Sequence, residues 1–253
     1  FDYVEKVEGV DEISEEDPNS TKVQYIGENT ITKVILPVGI EKIGSYAFAN
    51  CTGLTSSNIP VSVTSIGYKA FANCINIPSF EISASADSIG AMAFSGCTGE
   101  LIINSKIVET NYTKDDYPEG YRWLSGSNFT KLTIGNNVTK IGDYVFYSCR
   151  SLTSVTIPDS VTSIGGYAFE DCYRLTSITI PDSVTSIGDC AFYNCKSLTS
   201  VYCKAITPPT GDYDMFGYNA SGRKIYVPRN SVEAYKAAQY WSDYASDIEG
   251  YDF

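Results

Sequence analysis

The chain has 253 residues, with 18 Lys and Arg against 30 Asp and Glu for a net charge of −12, 8 Cys and no His. The missing His removes the commonest acid–base group near pH 7 and the commonest zinc ligand, and the acidic balance argues against nucleic acid, whose phosphates need Lys and Arg to neutralise them. A hydrophobic content of 43% against 19% charged residues excludes wholesale disorder, and no run of 18 apolar residues is present to span a membrane as a helix.

The first 17 residues hold eight acids and only Lys6, and residues 1–30 are expected to form an acidic N-terminal cap or tail. Within it Glu15-Glu16-Asp17 lacks the spaced ligand loop that calcium requires, so a solvated tail is the expectation. Val4, Val7, Val23 and Tyr25 can supply a capping hairpin. The chain opens at Phe1 with neither a positively charged segment nor an apolar stretch behind it, so any export signal is expected to have been removed upstream.

From residue 31 the sequence repeats. Residues 152–174 and 175–197 agree at 16 of 23 positions. Ile-Gly pairs start at 43, 66, 89, 141, 164 and 187, Phe falls at 48, 71, 94, 146, 169 and 192, and Cys at 51, 74, 97, 149, 172 and 195. Each unit reads L-x-x-V-x-I-P-x-x-V-x-x-I-G-x-x-A-F-x-x-C-x-x. The alternation Val155-Thr156-Ile157 predicts a short half-buried strand stopped by Pro158. Ile164, Ala168, Phe169 and Cys172 have the spacing of about one helical turn with a single apolar face. One unit cannot bury that face alone; stacked units can, which predicts an α/β repeat solenoid with a parallel β-sheet, short helical turns on the opposite face and a 23-residue period.

The strand pattern and period resemble leucine-rich repeats, and IPxSVTSIGxxAFxxC is similar in particular to the BspA-type leucine-rich repeat family of bacterial surface proteins. The resemblance covers about residues 31–203 and implies a parallel-sheet scaffold, attachment to host or microbial surface proteins, and export.

A step of 52 residues between Phe94 and Phe146 marks an enlarged repeat near 98–128. Leu101 and Ile103 keep the strand alternation there, and Trp123-Leu124 is expected to fill the space of a missing Ala-Phe pair. Strands are thus expected from near 31, 54, 77, 98, 129, 152, 175 and 198. Pro208-Pro209 then interrupts the pattern, and residues 204–253 are expected to cap the array, with a strand at KIYVP (224–228), Asn230 or Ser231 as an N-cap, and a helix running to about Gln239–Trp241 on which Val232, Tyr235, Ala238 and Trp241 share a face.

No catalytic, cofactor or metal site is expected. The Cys residues form no CxxC pair, and six of them share one repeat position, which predicts buried free thiols; Cys190 and Cys203 lie off that register and are the one pair to check for a bond. The VTSIG serines read as repeat filler, and Asp159 and Asp182 as turn residues. Candidate contact residues for a partner fall in two groups. Tyr112, Tyr117, Tyr121 and Trp123 occupy the irregular insert, where binding loops usually sit. Lys131, Thr133, Ser154, Thr156, Ser177, Thr179 and Tyr202 are outward positions of the predicted sheet. Tyr46, Tyr68, Tyr144 and Tyr167 recur beside the Ile-Gly turns, where half-exposed rings cover the scaffold. The functional expectation is a non-enzymatic bacterial cell-surface or secreted binding protein for protein–protein recognition or adhesion, with extracellular localisation. The alternatives are a glycan-binding surface protein using the Tyr/Trp-rich insert and a structural spacer.

Overall fold

The repeat unit folds as a coil with three sides, and the coils stack in parallel. The computed structural model describes residues 6–8, 31–36, 38–112 and 122–253; they fall into two units, Phe1–Ile107 with Tyr117–Phe129, and Val108–Asp116 with Thr130–Phe253. Each unit is a parallel-strand β-solenoid.

The first side of the coil is the L-x-x-V-x-I strand. In the second unit Ser154–Thr156 pairs in parallel with Lys131–Thr133. Ser177–Ile180, Ser200–Cys203, Lys224–Pro228 and Ile248–Tyr251 then form a four-stranded parallel sheet. The alternating pattern dictates the burial: Val155, Ile178, Val201 and Ile225 turn inward, and the residues between them face solvent. The second side is a two-residue strand ending in the Ile of each Ile-Gly pair: Lys42–Ile43, Ser65–Ile66 and Ser88–Ile89 in the first unit, and Lys140–Ile141, Ser163–Ile164 and Ser186–Ile187 in the second. The glycine that follows allows backbone to meet backbone: a Cβ on Gly188 would lie 2.5 Å from the Gly166 nitrogen of the preceding coil.

The third side is not the predicted helical turn. Tyr167 and Asp171 adopt left-handed backbone (φ 56° and 61°), as Tyr144 and Ser148 do one coil earlier and Cys190 and Asn194 one coil later. These residues redirect every second N–H. Tyr167, Phe169 and Asp171 donate to the carbonyls of Asp189, Ala191 and Tyr193 at 2.8, 2.8 and 3.0 Å, while Glu170 and Cys172 close local turns to Tyr167 and Phe169 at 3.3 Å. A helix would direct all of these donors along its own axis and leave adjacent coils without bonds on this side. The apolar face survives the change: Ala168, Phe169 and Cys172 are fully buried. Left-handed backbone outside glycine costs about 1–2 kcal/mol per residue, and the recurring inter-coil bonds offset it. Asn and Asp, which tolerate this region best, hold many of these positions, among them Asn50, Asn73, Asp171 and Asn194.

Phenylalanines run through the coils as stacked ladders. In the first unit Phe48, Phe71 and Phe94 stack at centroid distances of 5.2 and 5.7 Å, with Phe80 set edge-on against Phe71 and Phe94. In the second, Phe146, Phe169, Phe192 and Phe216 stack at 5.1, 5.3 and 5.5 Å. All eight Cys are free, and seven are buried. The shared repeat position gives the thiols a shared bond: Cys74, Cys97 and Cys195 donate to the carbonyls of Phe48, Phe71 and Phe169 at 3.1, 3.0 and 3.2 Å. Cys190 and Cys203 are unbonded to each other; the Cys203 thiol meets the Tyr235 hydroxyl at 3.2 Å. Thiol titration of the native protein should therefore count Cys51 at most, and titration in denaturant close to all eight; rapid native modification of several thiols would contradict this packing.

Several expectations need correction. No strand forms at 54–59, because Ser57 stands where other coils place an inward Val; its hydroxyl instead donates to the Ser79 carbonyl at 3.2 Å. The 23-residue register is not uniform. Ser79 pairs with Glu100 and Ser200 with Lys224, steps of 21 and 24 residues, so the extra length of the enlarged repeat all falls after Ile103. Trp123 and Leu124 are buried as expected, Trp123 edge-on to Phe94 at 6.3 Å.

Coil geometry also continues past 203. Phe192 and Asn194 donate to Met215 and Gly217, and Asp214 and Tyr218 repeat the pair of left-handed residues. The helix is shorter than its apolar spacing suggests: Val232–Ala237 ends where Ala238 becomes extended, and Ser231 makes no side-chain cap bond. That break lets Tyr235 and Trp241 meet edge to face at 4.8 Å. Trp241 and Tyr244 then close over Phe216, with the Trp241 indole N–H donating to the Pro209 carbonyl at 2.8 Å. At the other end of the chain Lys6–Glu8 pairs antiparallel with Lys33–Ile35; Val4, Val23, Tyr25 and Glu15-Glu16-Asp17 lie outside the described residues.

Candidate recognition face

The outward side of the long strands in the second unit is built by register. Ser154 and Thr156 lie opposite Lys131 and Thr133, and Ser177 and Thr179 opposite Ser200 and Tyr202. Ser154, Thr156, Ser177 and Thr179 are exposed, and Thr133 and Tyr202 half-buried. The hydroxyls used to hold coils together are a different set. Thr153, Thr162, Thr185 and Thr199 donate to the carbonyls of Thr130, Thr139, Thr162 and Thr176 at 2.9–3.2 Å, and Ser160 and Ser183 to Val138 and Val161 at 2.7 Å. Engaged in this way, these hydroxyls are structural.

Tyr202 does not stand alone. Tyr226, its register partner on the next strand, stacks on it at 4.9 Å and 19°. Tyr251 packs against both at 5.4 and 5.5 Å, and Phe253 follows at 5.1 Å. Tyr251 and Phe253 are 42% and 51% exposed. The charged residues beside this cluster neutralise one another: Lys224 pairs with Glu249 at 2.5 Å, and Arg229 holds Asp252 through two bonds of 2.7 and 3.0 Å, which keeps the Asp252 carboxyl below its usual range. Tyr226, Tyr251 and Phe253 were not among the contact residues expected from the sequence. Tyr226 was within reach, since KIYVP repeats the outward position of Tyr202; Tyr251 arrives only through the strand that follows the helix.

The insert supplies less. Tyr117 and Tyr121 lie outside the described residues. Tyr112 is half-buried, its N–H donating to the Asp143 carbonyl at 3.1 Å. Trp123, expected to contact a partner, is only 3% exposed; a ring packed into the core presents no surface to a ligand, and its proposed contact role is withdrawn.

On the Ile-Gly side of the second unit a shallow groove of about 530 Å³ is lined by Asp143, Asp189, Tyr144 and Tyr167, among others. Tyr144 and Tyr167 stack at 4.6 Å and 5°. The Tyr167 hydroxyl donates to Asp189 at 2.6 Å, and this bond to a carboxylate, with burial, pushes the phenol well above its usual range. Asp143 accepts from the Gly166 N–H at 2.7 Å. Both carboxylates thus tie one coil to the next. On the first unit Tyr46 and Tyr68 meet edge to face at 5.3 Å.

Stacked parallel coils with an outward strand face define a repeat scaffold of the leucine-rich class. The sequence pattern of the BspA type leucine rich repeat region matches residues 22–114 and 120–242 in six copies. The chain belongs to this family. Among solved structures it is similar to a leucine-rich repeat protein from Bacteroides ovatus, at 21% identity over 91% of this chain and 80% of that one, with a TM-score of 0.35. It is also similar to one from Eubacterium ventriosum, at 24% identity over 68% of this chain and 47% of that one (TM-score 0.46), and to a leucine rich cell surface protein from Faecalibacterium prausnitzii, at 21% over 86% and 59% (TM-score 0.34). The chain thus spans about half the length of the second of these proteins and somewhat more of the third. No curated protein matches the sequence. Among the described residues no helix is long and apolar enough to cross a membrane.

Proposed function

We propose that this chain is a non-enzymatic recognition scaffold at a bacterial surface, extracellular in location, which binds a macromolecule of a host or of another microbe through the outward strand face of its second unit. The observation that carries this reading is the juxtaposition, in strict register, of exposed Ser177 and Thr179 with the Tyr202–Tyr226–Tyr251 cluster. Recurring core residues hold the coils together; these outward residues do not, and half-buried Tyr202 and Tyr226 beside exposed Tyr251 suit contact with a partner. Family membership supports a scaffold role, and the name of the Faecalibacterium protein supports a surface location. Against catalysis stand the absence of His and the engagement of the recurring hydroxyls and thiols with carbonyls of neighbouring coils.

The test is retention of labelled protein on immobilised extracellular-matrix proteins and on a glycan array. Binding to at least one probe is expected for the wild type. The double variant Thr156→Asp, Thr179→Asp should lose it with an unchanged thermal midpoint, since both side chains are exposed. Full binding by that variant, or no binding by the wild type, would leave a structural spacer as the better reading.

A further inference from the structure

The recognition face has a floor and a wall, and their chemistry differs. Ser177, Thr179 and Ser200 form the floor with small hydroxyl side chains that carry no charge. Tyr202 rises at its end. One face of that ring is covered by Tyr226, stacked at 4.9 Å, and Tyr251 packs edge-on against Tyr202 at 5.4 Å and tilted against Tyr226 at 5.5 Å. On the other side its register neighbour is Thr179, whose small side chain leaves that face the less covered one.

We propose that this step binds a neutral glycan, with one sugar ring stacked on the less covered face of Tyr202 and its neighbours lying over Thr179 and Ser177 toward Thr156 and Ser154. This names the partner class of the recognition face proposed above and rests on that reading. Three features select the ligand. Aromatic faces favour the C–H-bearing face of a sugar ring, and the flanking Tyr226 and Tyr251 fix Tyr202 so that little rotamer freedom is lost on binding. The floor offers only hydroxyls, which exchange hydrogen bonds with a polyol but would leave the centre of a protein interface polar where such interfaces are apolar. Finally, the nearby charges are already paired, Lys224 with Glu249 and Arg229 with Asp252, so the step presents no net charge for an ionic ligand to meet. Coils advance by ~4.8 Å, close to the length of one pyranose ring, so successive sugars meet equivalent hydroxyls.

Affinity electrophoresis of the full chain through gels containing neutral polysaccharides (glucans, xylans, mannans and galactans) tests this. At least one should retard the wild type, with little change between low and high salt because no ion pair forms. Tyr202→Ala should weaken retardation about tenfold, and Tyr202→Phe, which keeps the ring, should restore it. Retardation by none of the neutral polysaccharides overturns the ligand class, as does equal retardation of Tyr202→Ala and wild type. If a matrix protein is bound instead, and Thr179→Asp abolishes that binding, the glycan is refuted while the recognition face stands. If Thr179→Asp leaves all binding intact, the face itself is refuted.

Discussion

Replacing Phe169 by Ala should destabilise the second unit by about 4 kcal/mol. The ring is completely buried and stacked on both sides, at 5.1 Å from Phe146 and 5.3 Å from Phe192. Its removal opens a cavity in the middle of a ladder whose flanking rings are pinned by their own inter-coil bonds: the Phe146 N–H donates to the Ala168 carbonyl and the Phe192 N–H to the Met215 carbonyl. Neither ring can slide into the gap without breaking one of them. Phe48 provides the contrast, since among the described residues it stacks only against Phe71. Phe48→Ala should cost about half as much. Urea unfolding followed by far-ultraviolet circular dichroism measures both; equal costs would show that the ladder does not act through two-sided stacking.

The second large effect is loss of stability at alkaline pH. Burial pushes the Cys97 thiol up to about 12 and the Cys203 thiol up to about 11, and raises Cys74 and Cys172 in the same direction, from a usual value of 9.0. The sign follows from linkage. Below pH 9 these thiols are protonated in folded and unfolded chains alike, so their contribution to stability is fully present. As pH rises above 9 the unfolded chain releases protons that the folded chain retains, and stability falls until the folded thiols ionise, at about 11 for Cys203 and about 12 for Cys97. At pH 10 each such thiol costs about 1.4 kcal/mol. Cys97 and Cys203 alone thus remove about 3 kcal/mol from the roughly 5–15 kcal/mol of a typical domain, and Cys74 and Cys172 act in the same direction. The urea midpoint should therefore hold steady to about pH 8.5 and collapse near pH 10. The double variant Cys97→Ala, Cys172→Ala should start lower and decline less steeply. A wild-type midpoint that stays level through pH 11 would refute the role of the thiols.

What the sequence revealed of this fold, and what it concealed, separates along physical lines. The inward positions were legible because burial demands apolar residues at the same offsets of successive coils: Leu, Val, Ile, Phe and Cys recur there, and most members of these columns are buried, with Cys51 and Ile89 half-buried. The helical turn was misread because the spacing Ile164, Ala168, Phe169 reports which residues face inward, not where the backbone donors go; left-handed Tyr167 and Asp171 preserve that spacing while sending alternate N–H groups to the next coil. The missing strand at 54–59 was visible in hindsight in one residue, Ser57. Of the recognition face, the hydroxyl floor followed from strand alternation alone. The wall did not, because Tyr251 joins Tyr202 and Tyr226 only after the chain has passed through the helix Val232–Ala237 and returned as one more parallel strand. Trp123 was placed twice by the sequence, as filler for the Ala-Phe space and as a contact residue, and burial decides for the first.

Some of the bonds between coils join like to like: Thr162 reaches Thr139 and Thr185 reaches Thr162, and Asn73 reaches Asn50, each 23 residues away. Chain length in this array is consequently quantised. Adding or deleting one whole unit returns every donor to an equivalent acceptor, whereas a single inserted residue inside a coil shifts each following donor off its partner. Growth by duplication of complete units is thereby the cheap route to a longer molecule, and the stretch after Ile103, already released from that registry, is the place where fractional changes in length can accumulate.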